Sequence, residues 1–366
     1  MNNGKMNIAD HLNIIWTIAS KDIVDSLRNK LVLTLILGLG TMLLMPQLLG
    51  LILDPPYTEI RVYDPGSSSL VQSLHESDQF NVVKSSSAAS LKAAIGGMGM
   101  GLGAEFGLEV PEAFDQMVKS EGQVTLKGYV AWANRAKTSR VKSDYEKLLP
   151  GLIDQPVSVT IDMEVVYPDL EDALLLAITT WTAVIVIFMM GLNLVPHLLF
   201  EEKQTKTMDA LLVSPASRGQ VVAGKALAGS FYILVTAIVV FAINWKGVVH
   251  WDLVILFVIA AGVFTVATGL VLGSFFSRQQ EVTGLSMFIL LVFIGSIFIQ
   301  LMNLDIPVFV GSILPWVPSV ALAEIIQLVF VKDFQWSQIW LNLMRLLVVS
   351  VPLYILVVWK ISRSDR

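Results

Sequence analysis

Gly219, Gly224 and Lys225 stand at the spacing of a phosphate-binding loop, G-x-x-x-x-G-K-[ST], in which backbone N–H groups and a lysine cradle the phosphates of a nucleotide. Ala226 occupies the place of the hydroxyl that would hold magnesium. A working loop of this kind follows a strand and opens a soluble helix. Here the stretch runs on into "ALAGSFYILVTAIVVFAI", which is apolar enough to enter lipid. The spacing therefore reads as coincidence, and Lys225 is expected to snorkel to the lipid interface. The four histidines, His11, His75, His197 and His250, are far apart and form no metal-binding spacing. With no cysteine in the chain, disulfides, thiolate metal sites and cysteine nucleophiles are excluded. Paired acids or a Ser/His/Asp set within reach of one another are likewise missing from the sequence pattern. The chain is expected to be no enzyme and to carry no cofactor or metal of its own.

The elements that hold these residues are mostly membrane elements. Hydrophobic residues make up 54% of the 366 residues and charged ones only 15%. A soluble domain rarely tolerates that balance. The net charge of -5 and the absence of a basic run argue against a nucleic-acid partner. Apolar segments of spanning length occur at Leu31–Leu53, Ala173–Val195, Val221–Ile243, Leu253–Phe276, Leu285–Met302 and Ile339–Trp359, six in all. Residues 1–30 lack a cleavage site and place Leu12, Ile15, Trp16, Ala19, Ile23 and Leu27 near one helical face, as in a helix lying flat in the membrane interface. An even number of spans puts both termini on one side. Lys21, Arg28, Lys30, Lys203, Lys206, Arg218, Arg278, Lys360, Arg363 and Arg366 flank spans on that side, against mainly Lys246 and Lys332 opposite. By the positive-inside bias both termini are expected in the cytoplasm of a multi-pass bacterial inner-membrane protein.

Between the first and second spans, residues 54–170 read as an inserted α/β domain on the extracytoplasmic side. "TEIRVYD", "FNVVK", "AEFGLEV", "QVTLKGYVAW" and "PVSVTIDMEVVYP" have strand character, and "SSLVQSLHES", "AASLKAAI", "PEAFDQMVKS" and "KTSRVKSDYEKLLPGL" are helical. "GGMGMGLG", 96–103, is too glycine-rich for a regular element and reads as a loop. The expected fold class is thus an α-helical polytopic membrane protein of six spans with this α/β insertion, and residues 171–366 as a five-helix membrane region.

The most informative stretch is the charged hairpin after the second span, "LLFEEKQTKTMDALLVSPASRGQVVAGK". Glu201, Glu202, Lys203 and Lys206 open it, and "MDALLVSP" gives a short amphipathic turn stopped by Pro215. It resembles the cytoplasmic coupling segment of the ABC transporter type-2 permeases, the membrane subunits of type V exporters. Glu202, Thr207, Leu211, Leu212, Ser214, Pro215, Gly224 and Lys225 match that pattern, while Gln204 and Lys206 depart from it. The resemblance covers nearly the whole chain. It implies a permease that forms a translocation path as a dimer with an identical or paralogous second permease. It further implies a separate cytoplasmic ABC ATPase that holds the ATP and magnesium and meets segment 198–218. The coupling residues would be Glu201, Glu202, Lys203, Thr207, Met208, Leu211, Leu212 and Pro215, with Glu201 and Glu202 pairing with basic residues of the ATPase and Met208, Leu211 and Leu212 filling an apolar groove.

No Asp or Glu lies inside the six proposed spans, which disfavours a proton- or sodium-driven carrier. Arg345, several residues inside the last span, is the exception to the uncharged pattern. It is expected to pair with Glu324 if residues 303–330, broken by Pro307, Pro315 and Pro318, form re-entrant helices on the external side. The competing class is a membrane-anchored sensor or assembly factor whose external domain binds a ligand.

Overall fold

The computed structural model describes residues 7–30, 32–34, 36–41, 44, 58–77, 80–97, 106–153, 156–168, 174–205, 217–276, 278–301 and 306–363. Helix α1, Ile8–Arg28, starts with a capping box in which the Asn7 side chain and the Asp10 carboxylate satisfy each other's backbone N–H groups. A short apolar helical stretch, α2, covers Val32–Thr41; Pro46 and the rest of the first proposed span lie outside the described residues.

The α/β region follows. Its strands are β1 (Thr58–Tyr63), β2 (Phe80–Lys84), β3 (Phe106–Glu109), β4 (Gln123–Ala131) and β5 (Ser158–Val166), interleaved with α3 (Ser69–Glu76), α4 (Ala88–Gly97), α5 (Phe114–Glu121) and α6 (Thr138–Leu148). They form one sheet of order β2-β1-β3-β4-β5, parallel except between β3 and β4. Each of these strands and helices falls within a segment where the sequence predicts it. Along β4, Val124 and Leu126 turn inward while Thr125 and Lys127 turn to solvent. Phe106 stacks on Tyr145 of α6 at 4.3 Å between ring centroids, joining the sheet to its covering helix. The glycine-rich stretch is not wholly loop. Gly96 and Gly97 complete α4, and a side chain at 96 would collide with the Tyr167 carbonyl; residues 98–105 lie outside the described residues.

The membrane part comprises α7 (Leu174–Thr205), α8 (Arg218–Ile243), α9 (Trp251–Phe275), α10 (Gln279–Leu301), α11 (Val308–Ile313), α12 (Pro318–Leu328) and α13 (Trp336–Arg363). Among the described residues five of these, α7 to α10 and α13, are long and apolar enough to cross a membrane. The stretches Val308–Trp316 and Pro318–Leu328 meet at 70°, a broken or re-entrant pair where the three prolines predict one. Helix α7 carries the second span on without interruption as far as Thr205.

Helix α7 is the most buried span and forms the axis of the bundle. Gly269 and Gly273 on α9 lie against it so closely that Cβ atoms there would strike the Gly191 carbonyl and Leu199, the packing that small residues four apart allow. Pro196 removes the N–H that would serve the Leu192 carbonyl. Ser286 of α10 donates to that carbonyl instead, at 3.1 Å. Phe188, Phe264 and Phe293 from α7, α9 and α10 meet edge-on or tilted at the centre.

Candidate functional site: the junction that flanks the charged hairpin

Helices α7 and α8 carry the two ends of the charged hairpin, and α1 lies across both. Gly224 explains the close approach. A Cβ there would sit 2.7 Å from Ile18 Cγ2 and 3.2 Å from the Ile15 carbonyl oxygen, so α1 can rest on α8 only because that atom is missing. One residue on, Lys225 is completely buried. Its Nζ donates to Asp22 Oδ2 at 3.1 Å and to the Leu198 carbonyl at 2.8 Å, tying α8 to α1 and α7 together. The expected snorkelling of Lys225 is therefore corrected. Its ammonium lies inside the protein because a buried carboxylate and a helix carbonyl receive it there, which replaces the hydration that lipid would otherwise make necessary. The near-match to a phosphate loop has the same cause, since Gly224 admits α1 and Lys225 holds it. Arg345 is accordingly not the only charge in the spans: Lys225 lies within the Gly219–Ile243 window.

Further contacts brace the same junction. Gln220 Nε2 and His11 Nδ1 are 2.7 Å apart, and Gln220 also completes the capping box with Ser217 that starts α8. The Tyr232 hydroxyl donates to the Ile23 carbonyl at 2.6 Å, and Asn29, just past α1, meets His197 of α7 at 2.9 Å. The inward face of α1 therefore comprises Ile18, Ala19, Asp22 and Ser26. Leu12, Trp16 and Leu27 remain exposed, an apolar strip beside the docked face. The interfacial face read from the sequence splits in two, one half packed on α8 and the other free to meet lipid headgroups.

Of the residues expected to meet an ATPase, Glu201, Glu202 and Lys203 lie in the last turns of α7, rigidly continuous with the span. Thr207, Met208, Leu211, Leu212 and Pro215 lie outside the described residues. Sequence reasoning missed Asp22 altogether. The signal was present as an acid on the apolar arc of an amphipathic helix together with a lysine inside a span, two charges that each need a mate.

At the opposite end of the bundle Arg345 Nη1 and Glu324 Oε2 are 4.0 Å apart. Neutral amides fill the space around them. Gln300 Nε2 donates to Glu324 Oε1 at 2.8 Å, Asn342 Nδ2 to Glu324 Oε2 at 2.7 Å, and Arg345 Nη1 to Asn342 Oδ1 at 2.9 Å. Three elements, α10, α12 and α13, thus converge on one carboxylate. The α/β region docks at this same end. Trp132 stacks on Tyr167 and donates to the Val248 carbonyl, while Arg135 lies over the Trp132 ring and donates to the Lys246 carbonyl at 2.7 Å. The α8–α9 turn then passes the contact on, since Val249 and His250 both donate to the Val329 carbonyl at the end of α12.

A bundle of long apolar helices with a buried-charge junction at one end and an α/β insertion at the other defines a multi-pass membrane protein. The family model for ABC-2 family transporter proteins matches residues 31–360, and the chain belongs to that family. Its architecture is consistent with the permease subunit of an ABC transporter. No curated protein matches the chain.

Proposed function

We propose that this chain is the permease subunit of an ATP-driven exporter in a bacterial inner membrane. It works as a dimer with an identical or paralogous permease, and it couples to a separate cytoplasmic ABC ATPase through Glu201–Pro215. The termini and the junction of α1, α7 and α8 lie in this reading on the cytoplasmic side, with the α/β region outside. ATP and magnesium belong to the partner.

The observation that carries the reading is the family match over 31–360 combined with the build of the junction. A hairpin moved by a partner would pull on α7, which runs without a break to Thr205, and on α8, which starts at Arg218. Lys225 makes both ends and α1 move as one body, as a transmitter of displacement must. The sensor alternative draws less support. At the tip of β1, where such sheets commonly bind ligands, Asp64 Oδ2 accepts the Ser68 N–H and Asp115 accepts the Ser69 N–H, so the start of α3 already has its anions.

Affinity purification from mild detergent tests the reading. A stoichiometric ATPase is expected to co-elute with the wild-type chain and to be lost with Glu202→Lys or with deletion of 208–212, while the membrane fold persists. Unchanged ATPase assembly and transport in both variants would remove Glu201–Pro215 from the coupling role. Recovery of a folded wild-type chain with no ATPase would put the sensor alternative first.

A further inference from the structure

The cluster around Glu324 is poorly placed for contact with lipid tails. Asn342 and Arg345 lie about 9 Å and about 14 Å along α13 from Trp336, at 1.5 Å per residue, and so well inside the Trp336–Lys360 span. Yet a third of the Glu324 side chain is open, 33%, against 18% for Arg345. Ionisable groups at such depth face a protein interior or a water-filled space, because hydrocarbon does not solvate them. The carboxylate is also arranged to receive something. Each oxygen accepts one neutral amide N–H, and the guanidinium at 4.0 Å is turned toward Asn342 rather than closing a bidentate pair. Oxygen lone pairs therefore remain on the more open partner of the pair.

We propose that the face formed by α10, α12 and α13 borders an aqueous passage opening toward the α/β region, and that Glu324 is a recognition site there for the cationic group, ammonium or guanidinium, of a transported amphipathic solute. Gln300 and Asn342 position the carboxylate, and Arg345 is the resident counter-charge that the incoming cation displaces or shares. The purpose of the site rests on the permease reading, but its test does not.

The chain has no cysteine, so single cysteines can be introduced without background. Gln327 is half-buried one turn beyond Glu324 on α12 and outside the cluster. Leu291 on α10, 69% exposed, is the lipid-facing control. The full chain in membranes is treated with two water-soluble thiosulfonates of similar size, one carrying trimethylammonium and one carrying sulfonate. Gln327→Cys is expected to react with both while Leu291→Cys does not, and to react about 10-fold faster with the cation, at the low end of what a charged cleft does to local ion concentration. In a Gln327→Cys, Glu324→Gln background, which keeps the amide contacts, that preference is expected to fall to about one. A cysteine at 327 as inert as one at 291 would overturn the aqueous passage. Reaction with no charge preference, or with a preference that survives Glu324→Gln, would overturn the recognition role. ATPase co-purification decides the permease reading separately.

Discussion

At the scale of the residue, the buried Asp22–Lys225 pair sets the terms. Removing Lys225 leaves the Asp22 carboxylate away from water without its ammonium, at a cost of about 3–5 kcal/mol. Asp22→Ala and Lys225→Met are each expected to lower the unfolding temperature in detergent by many degrees. The double variant Asp22→Leu with Lys225→Met should recover most of the loss, because apolar residues replace an ion pair of that kind at little cost. Damage in the double variant equal to the sum of the singles would mean that the two charges do not act as a pair. A second residue-scale effect lies in the α/β region. Burial, then the hydrogen bond from its hydroxyl to Glu109, raise the pKa of Tyr129 well above that of a free tyrosine. The unfolded chain ionises at this residue near pH 10 while the native state keeps the proton. The stabilisation is whole below about pH 10 and is lost as pH rises beyond it. Tyr129→Phe is expected to flatten that alkaline decline, measured as unfolding midpoint against pH.

Elements differ in how far they could be read without coordinates. The five strands of the α/β region were legible because each is a short run of strand-forming residues between turn residues, and β1 and the first half of β4 alternate as well. The bend between Val308–Trp316 and Pro318–Leu328 was legible because prolines end helices locally. The Arg345–Glu324 proximity followed from asking where a charge inside a span finds its opposite. The site of Lys225 was not legible in this way. Snorkelling and burial demand the same local sequence, and only a carboxylate 203 residues away decides between them. Likewise the full length of α7 was not legible from hydropathy, because the helix continues past its apolar residues into charged ones as far as Thr205. The dock formed by Trp132, Arg135 and Tyr167 is also an element-scale contact, and it gives a prediction. Trp132→Ala is expected to weaken the hold on the α8–α9 turn by about 1 kcal/mol, the worth of a cation–π contact. Amide exchange at Val249 and His250 should then quicken about five-fold. Unaltered exchange would mean that Trp132 does not hold the turn.

The whole molecule has a polar cluster near one end, a charged junction at the other, and α7 running between them. Glu324 and its amides sit where the α/β region docks, and Asp22 and Lys225 sit where α1 crosses α7 and α8. The phenylalanines of α7, α9 and α10 fill the space between. Rigid helices packed through Gly269 and Gly273 leave little room for the two ends to shift independently. Variants of the two ends are therefore expected to be non-additive in transport, with Glu324→Gln combined with Lys225→Met departing from the sum of the singles. Additivity in the double-mutant cycle would mean that the ends work independently.

The distance in sequence between Asp22 and Lys225 also has a meaning during synthesis. A ribosome adding about 5–20 residues per second needs roughly 10–40 s to travel from one to the other. Throughout that interval the amino-terminal helix has been made but cannot take its final seat, and its carboxylate must stay with water or with a chaperone. A chain that stops before residue 225 never completes the clasp and keeps that helix loose.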